Sequence, residues 1–99
     1  MSSATLPELL PEIGEGKQDS GRGDHGYIVT VFDNDYNTYD EVMAILQMAT
    51  GCTPEEAYIE TWEIDHLGSS VVHNASREEC NRVAAIISTI GIRVTVSES

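Results

Sequence analysis

The sequence predicts an α+β fold, a two-layer sandwich in which three helices cover one face of a three-stranded antiparallel sheet. Three observations carry this. β-Branched and aromatic runs stand at 27–32, 69–74 and 92–96; apolar residues between them recur at helical intervals; and a hydroxyl residue precedes each helical stretch while a glycine follows it. The resulting order is β-α-α-β-α-β, and elements with one apolar face each must bury those faces against one another.

The first strand is YIVTVF, Tyr27 to Phe32, and it stops at Asp33. Thr38 stands three residues before Glu41, the spacing of a capping box, and Val42, Ile45, Leu46 and Ala49 then share a face. A first helix therefore runs from about Tyr39 to Thr50 and ends at Gly51. The signature returns at Thr53-Pro54-Glu55-Glu56, with proline at the first helical position, and opens a second helix carrying Ala57, Trp62 and Ile64. Gly68 allows a turn into the second strand, SSVVHN, residues 69–74. Ser76 with Glu79 caps a third helix through Val83, Ile86, Ile87 and Ile90; Gly91 closes it, and IRVTV, residues 92–96, alternates as the third strand.

Ahead of this domain, 27–99, residues 1–26 show no sustained periodicity, and GKQDSGRGDHG cannot bury enough surface to offset its ordering entropy. A flexible tail is expected there. Within it Leu6, Leu9, Leu10 and Ile13 form a short apolar patch broken by Pro7 and Pro11, either a partner-binding motif or incidental. A chain of 99 residues holds one domain at most, so any site is small or shallow. The balance of 5 basic against 17 acidic residues, a net charge of −12, repels phosphate backbones and anionic headgroups. Nucleic acid and membrane surfaces are therefore poor partners, and cationic or amine-bearing ligands fit better. No run approaches the roughly 18 apolar residues of a membrane span, and the N-terminus lacks a signal-peptide pattern, so a cytoplasmic protein is expected. Cys52 and Cys80 lack CxxC spacing and read as packing or incidental thiols.

The polar segment FDNDYNTYDEV, residues 32–42, joins the first strand to the first helix. Asp33, Asn34, Asp35 and Asn37 can cap that helix and form Asx turns without any ligand. Enzyme signatures are missing: there is no Gly-rich phosphate loop, GxSxG or HExxH. His25, His66 and His73 fall in the tail, a loop and a strand without metal-ligand spacing, so no cofactor or metal is expected. Glu63, Asp65 and His66 could form a small acid–base set for an enzyme, but no nucleophile accompanies them. Binding is the expected class.

YIVTVFDNDYNTYDEV, then ILQ at 45–47, EEAY at 55–58, IDHLG at 64–68 and SREE at 76–79, resembles the ClpS family of bacterial Clp protease adaptors. The resemblance covers nearly all of the folded part. It implies an adaptor that recognises N-terminal destabilising residues, the N-end rule, and hands those substrates to a Clp-family AAA+ unfoldase of the ClpA or ClpC type, with the N-terminal extension taking part in delivery. It also implies a pocket between the loop and the first two helices. The family's asparagine and first aspartate fall on Asp33 and Asn34, with the two types exchanged, and the next aspartate on Asp35. Its gate residue, usually methionine, falls on Tyr39; its histidine falls on Asp65 rather than His66; its apolar walls fall on Val42 and Ile64, and a further wall position, often methionine, on Thr61. The implied acceptors for the substrate α-amino group are thus Asp33, Asn34, Asp35 and Asp65, with Asn37, Thr38, Tyr39, Val42, Thr61 and Ile64 around the first side chain.

An α-ammonium carries one charge and three donors and wants two or three converging acceptors. Asp65 in place of a neutral histidine adds a second carboxylate for it. Tyr39 and Thr61 suggest a smaller, more polar pocket, suited to leucine over a bulky aromatic. The alternative is an unfoldase-docking or regulatory module without a working N-degron pocket.

Overall fold

β1 (Tyr27–Phe32) is the central strand of an antiparallel sheet ordered β2-β1-β3, as its apolar run requires: Val29 and Val31 point into the core and are fully buried. The structure, a computed structural model, describes residues 26–99. The Leu6, Leu9, Leu10 and Ile13 patch and His25 lie outside the described residues, as does nearly all of the expected tail.

α1 (Tyr39–Thr50) and α2 (Pro54–Leu67) each start on a complete capping box, at Thr38 with Glu41 and at Thr53 with Glu56, and each ends on a left-handed glycine, Gly51 and Gly68. Those stops need glycine, because a β-carbon is disfavoured at φ 74° and 95°. β2 (Ser69–Ala75) returns beside β1, α3 (Arg77–Ser88) starts on Ser76, and β3 (Val94–Glu98) closes the other side. The predicted order and the three-stranded antiparallel sheet are observed. Val42, Ile45, Leu46 and Ala49 from α1 meet Ala57 and Ile64 from α2, and Cys80, Val83 and Ile87 from α3 complete the layer over Val29, Val31 and Val72. Cys80 is thereby a packing residue, and burial pushes its thiol up to about 11.

Three local expectations differ. α3 ends at Ser88, not at Ile90, because the Thr89 hydroxyl donates to the Ile86 carbonyl at 2.6 Å and the Ile90 and Gly91 amides reach back only three residues, tightening the chain into a turn. β3 begins at Val94 rather than 92, because Ile92 dives into the core before the ladder opens opposite Val31. His66 lies in the last turn of α2, not in a loop, since nothing interrupts the helix before Gly68. β2 also carries a bulge: Val29 faces His73 and Thr30 faces Val71, leaving Val72 as the extra, buried residue. Among the described residues no helix is long and apolar enough to cross a membrane.

Candidate functional site

The loop from Asp33 to Thr38 is built by its own amides. Asn34 Oδ1 accepts the backbone N–H groups of Tyr36 and Asn37, both at 3.1 Å, while Asn34 Nδ2 donates to Asn37 Oδ1 at 2.8 Å. This is an Asx turn, and it engages both lone pairs of the Asn34 oxygen. Asn37 Nδ2 in turn donates to the Ile90 carbonyl at 3.0 Å and to Glu41, which ties the loop to the turn that follows α3. Thr38 caps α1, and Glu41 receives the Thr38 amide and the Asn37 side chain, in that order of effect, so its carboxyl is held below the usual range. The Asp33 N–H donates to the Gly68 carbonyl at 3.0 Å, which brings the start of the loop against the end of α2. The side chains of Asp33 and Asp35 remain exposed.

That fastening sets α1 and α2 side by side at their near ends. Tyr39, the first residue of α1, reaches across: its hydroxyl donates to Asp65 Oδ2 at 3.0 Å, and its ring lies 6.0 Å from that of Tyr58, tilted by 48°. The phenol pKa is raised, first by desolvation, then by the bond to Asp65 and its charge, with Tyr58 and Asp33 also contributing. Asp65 holds this hydroxyl by a direct hydrogen bond, and Asp33 is the smallest of the contributions. Tyr58, Thr61 and Asp65 fall three and four residues apart, one stripe of α2 facing α1. Thr61 Oγ1 donates to the Ala57 carbonyl at 2.7 Å, which satisfies a hydroxyl in an otherwise apolar wall. Val42, Thr61 and Ile64 are 5%, 3% and 2% exposed.

Next to this stripe, Trp62 stacks on His66 with ring centroids 4.2 Å apart, and His66 Nδ1 donates to the Trp62 carbonyl at 3.0 Å. Trp62 is 42% exposed, because a helix that buries Ala57, Thr61 and Ile64 turns it outward. Glu63 instead accepts from Ser70 of β2 at 2.7 Å. The Glu63, Asp65 and His66 set comes together only in part: His66 Nδ1 lies 3.6 Å from Asp65 Oδ2, but Asp65 also holds Tyr39, His66 stacks on Trp62 and Glu63 serves the sheet. Tyr58 was not among the residues picked from the sequence, although its spacing from Thr61 and Asp65 was a usable signal. Among the described residues no group of three His, Cys, Asp or Glu is placed to hold a metal ion.

The model of the family described as ATP-dependent Clp protease adaptor protein ClpS matches residues 22–94. The chain belongs to the ClpS family. Among solved structures, Agrobacterium tumefaciens ClpS2 bound to L-phenylalaninamide is similar, with a TM-score of 0.71 at 17% identity over 77% of this chain and 99% of that one. At that identity the likeness shows the shared fold. No curated protein matches the chain significantly in sequence. As a ClpS-family chain it is an adaptor by family.

Proposed function

We propose that this ClpS-family adaptor binds the free N-terminus of proteins with a hydrophobic first residue in the groove between α1 and α2, and delivers them to a Clp AAA+ unfoldase of the ClpA or ClpC type. The observation that carries the reading is the Tyr39 hydroxyl on Asp65, with the Asp33 backbone fastened to Gly68 at the end of the same helix. Two carboxylates beside one groove suit an ammonium, which a neutral terminus cannot imitate. In this reading Asp33 and Asp65 accept the amine. Asn34, whose oxygen is engaged within the loop, shapes the turn, and Asp35 adds negative charge at its rim. Asn37 and Thr38 fix the start of α1, and Tyr39, Val42, Thr61 and Ile64 surround the first side chain. Residues 27–99 form the binding domain and residues 1–26 take part in delivery. The amino-acid amide bound by Agrobacterium tumefaciens ClpS2 supports an amine-bearing ligand of this kind.

One observation favours the second reading, a docking module without a pocket: the walls Val42, Thr61 and Ile64 are almost closed to solvent. Titration with short peptides that begin with Leu, Phe, Tyr or Trp, each free and N-acetylated, separates the two. Binding of the free peptides and loss on acetylation is expected, since acetylation removes the charge and two donors. Equal binding of both forms, or none of either, establishes the docking module instead.

A further inference from the structure

Ile28, Thr30 and Phe32 alternate with the buried Val29 and Val31 along β1 and so point to the other face of the sheet, away from the helices. The ladders place Asn74, Val71 and Ser69 of β2 beside them on one side and Ser97 and Thr95 of β3 on the other. None of these side chains is acidic, although 17 residues of the chain are. The charged side chain on this face is basic: the Arg93 guanidinium lies over the Phe32 ring, 4.2 Å from its centroid, and forms no ion pair among the described residues. The three helices pack on Val29, Val31 and Val72, so among the described residues no helix covers the opposite face, where Val71 is 51% exposed.

Gly26, the residue before β1, accepts the Ser99 N–H on its carbonyl at 3.0 Å, so the preceding chain leaves from the end of the sheet. That chain carries LPELLPEI, residues 6–13, in which Leu-Pro-Glu occurs twice. Its leucines are apolar and its Glu8 and Glu12 acidic, the complement of a face that offers Ile28, Phe32, Val71 and Arg93. The glycine-rich residues 14–25 join it to Gly26, and about 12 such residues span about 20 Å, the length of a strand of 6 residues like β1. Pro7 and Pro11 lack the amides that a fourth strand needs, so the segment fits the face of the sheet and not its edges. The exposed Tyr58, Ile59 and Trp62 of α2 stand beside Glu55 and Asp65, which repel the same glutamates. We propose that the open face of the sheet is the docking site of this chain's own residues 6–13, with the leucines on Ile28, Phe32 and Val71 and a glutamate on Arg93. Tethering raises the local concentration of the segment to the millimolar range, so contacts too weak to hold a free peptide suffice. A second copy docked face to face brings no carboxylate to Arg93. This docking is independent of the amine site between α1 and α2.

Nuclear Overhauser spectra of the full-length protein, with labelled Leu, Ile and Val methyl groups, test it. Cross-peaks are expected from the methyls of Leu6, Leu9 or Leu10 to those of Ile28 and Val71. Arg93→Glu should abolish them, and Glu8→Arg with Glu12→Arg in the same chain should bring them back. Unchanged methyl signals of the core residues Val29 and Leu46 show that each variant is folded. Leu9→Ser with Leu10→Ser, which leaves the domain untouched, should abolish the cross-peaks as well. Their absence from the unaltered protein overturns the docking, as does their survival in Arg93→Glu. Loss in Arg93→Glu without recovery by the paired reversal overturns the ion pair. Cross-peaks found only between differently labelled copies overturn docking within one chain and give the face to a second copy.

Discussion

Glu60 is a carboxyl that the fold treats as an acid. It sits half-buried on α2 with Oε1 enclosed and without a hydrogen-bond partner, and burial, then the charges of Glu56 and Glu63, push its pKa up to about 7. The folded state therefore prefers the protonated form. The stability this lends is complete below the usual value of 4.5 and is lost as the pH rises through about 7. Glu60→Gln should be the more stable protein at pH 8, by about 1 kcal/mol once solvent screening is allowed for, and should lack the slope between pH 5 and 7. Urea unfolding of both proteins across that range checks it. Tyr39 supplies a second titration. Its phenol lies above the ordinary 10.0, with desolvation first among the causes and Asp65 next, so Asp65→Ala should move the phenolate absorbance step to lower pH. A step unmoved by Asp65→Ala would mean that desolvation alone raises it.

At the scale of elements, the helix ends do two jobs. Thr38 and Thr53 cap α1 and α2 in the same way, and replacing either by alanine should cost about 1 kcal/mol in urea unfolding. Only Thr38→Ala should also weaken peptide binding, because only that cap joins the loop holding Asp33. Equal binding losses in the two variants would assign the effect to stability alone. The elements are also tied by Glu79 of α3, which receives Arg82 at 2.6 and 2.9 Å and His73 of β2 at 3.1 Å, while Arg82 Nη2 donates to the Ala49 carbonyl in the last turn of α1. Arg82 first, with His73, holds the Glu79 carboxyl down to about 2. Its contribution is present above 4.5 and is lost as the pH falls towards 2, so Glu79→Gln should show a shallower loss of stability in acid titration. Caps and helical faces were legible in the sequence because each is set by residues within one turn. The start of β3 was not: Ile92 alternates with Val94 and Val96, and only the partner strand decides where the ladder begins. Asp33 and Asp65 were marked through a family resemblance, and nothing local to Asp65 foretold the Tyr39 hydroxyl on it. Of the Glu79 hub, only the Arg82 pair, three residues on along α3, had a signal in spacing; the links to His73 of β2 and Ala49 of α1 had none.

Over the whole molecule the charge of −12 sets a field that attracts a cationic chain end before any contact forms. The association rate of a free-amine peptide should therefore fall as salt is raised from about 10 to 150 mM, over which the screening length shrinks from about 30 to 8 Å. Stopped-flow binding at those two salts measures it, and a rate indifferent to salt would show that the net charge has no part in capture. Removal of residues 1–26 should leave cooperative unfolding and peptide affinity in place while substrate degradation by the partner protease declines. A deletion that abolishes cooperative unfolding would make those residues part of the folded domain. The sheet order β2-β1-β3 has a consequence for how the molecule is made. β1 leaves the ribosome first, yet it pairs on one side with β3, the last strand, so nearly the whole domain must be synthesised before its central strand has both neighbours. Until then the Val94 side of β1 is an unpaired apolar edge, and a nascent chain stalled after α3 presents that edge to other chains.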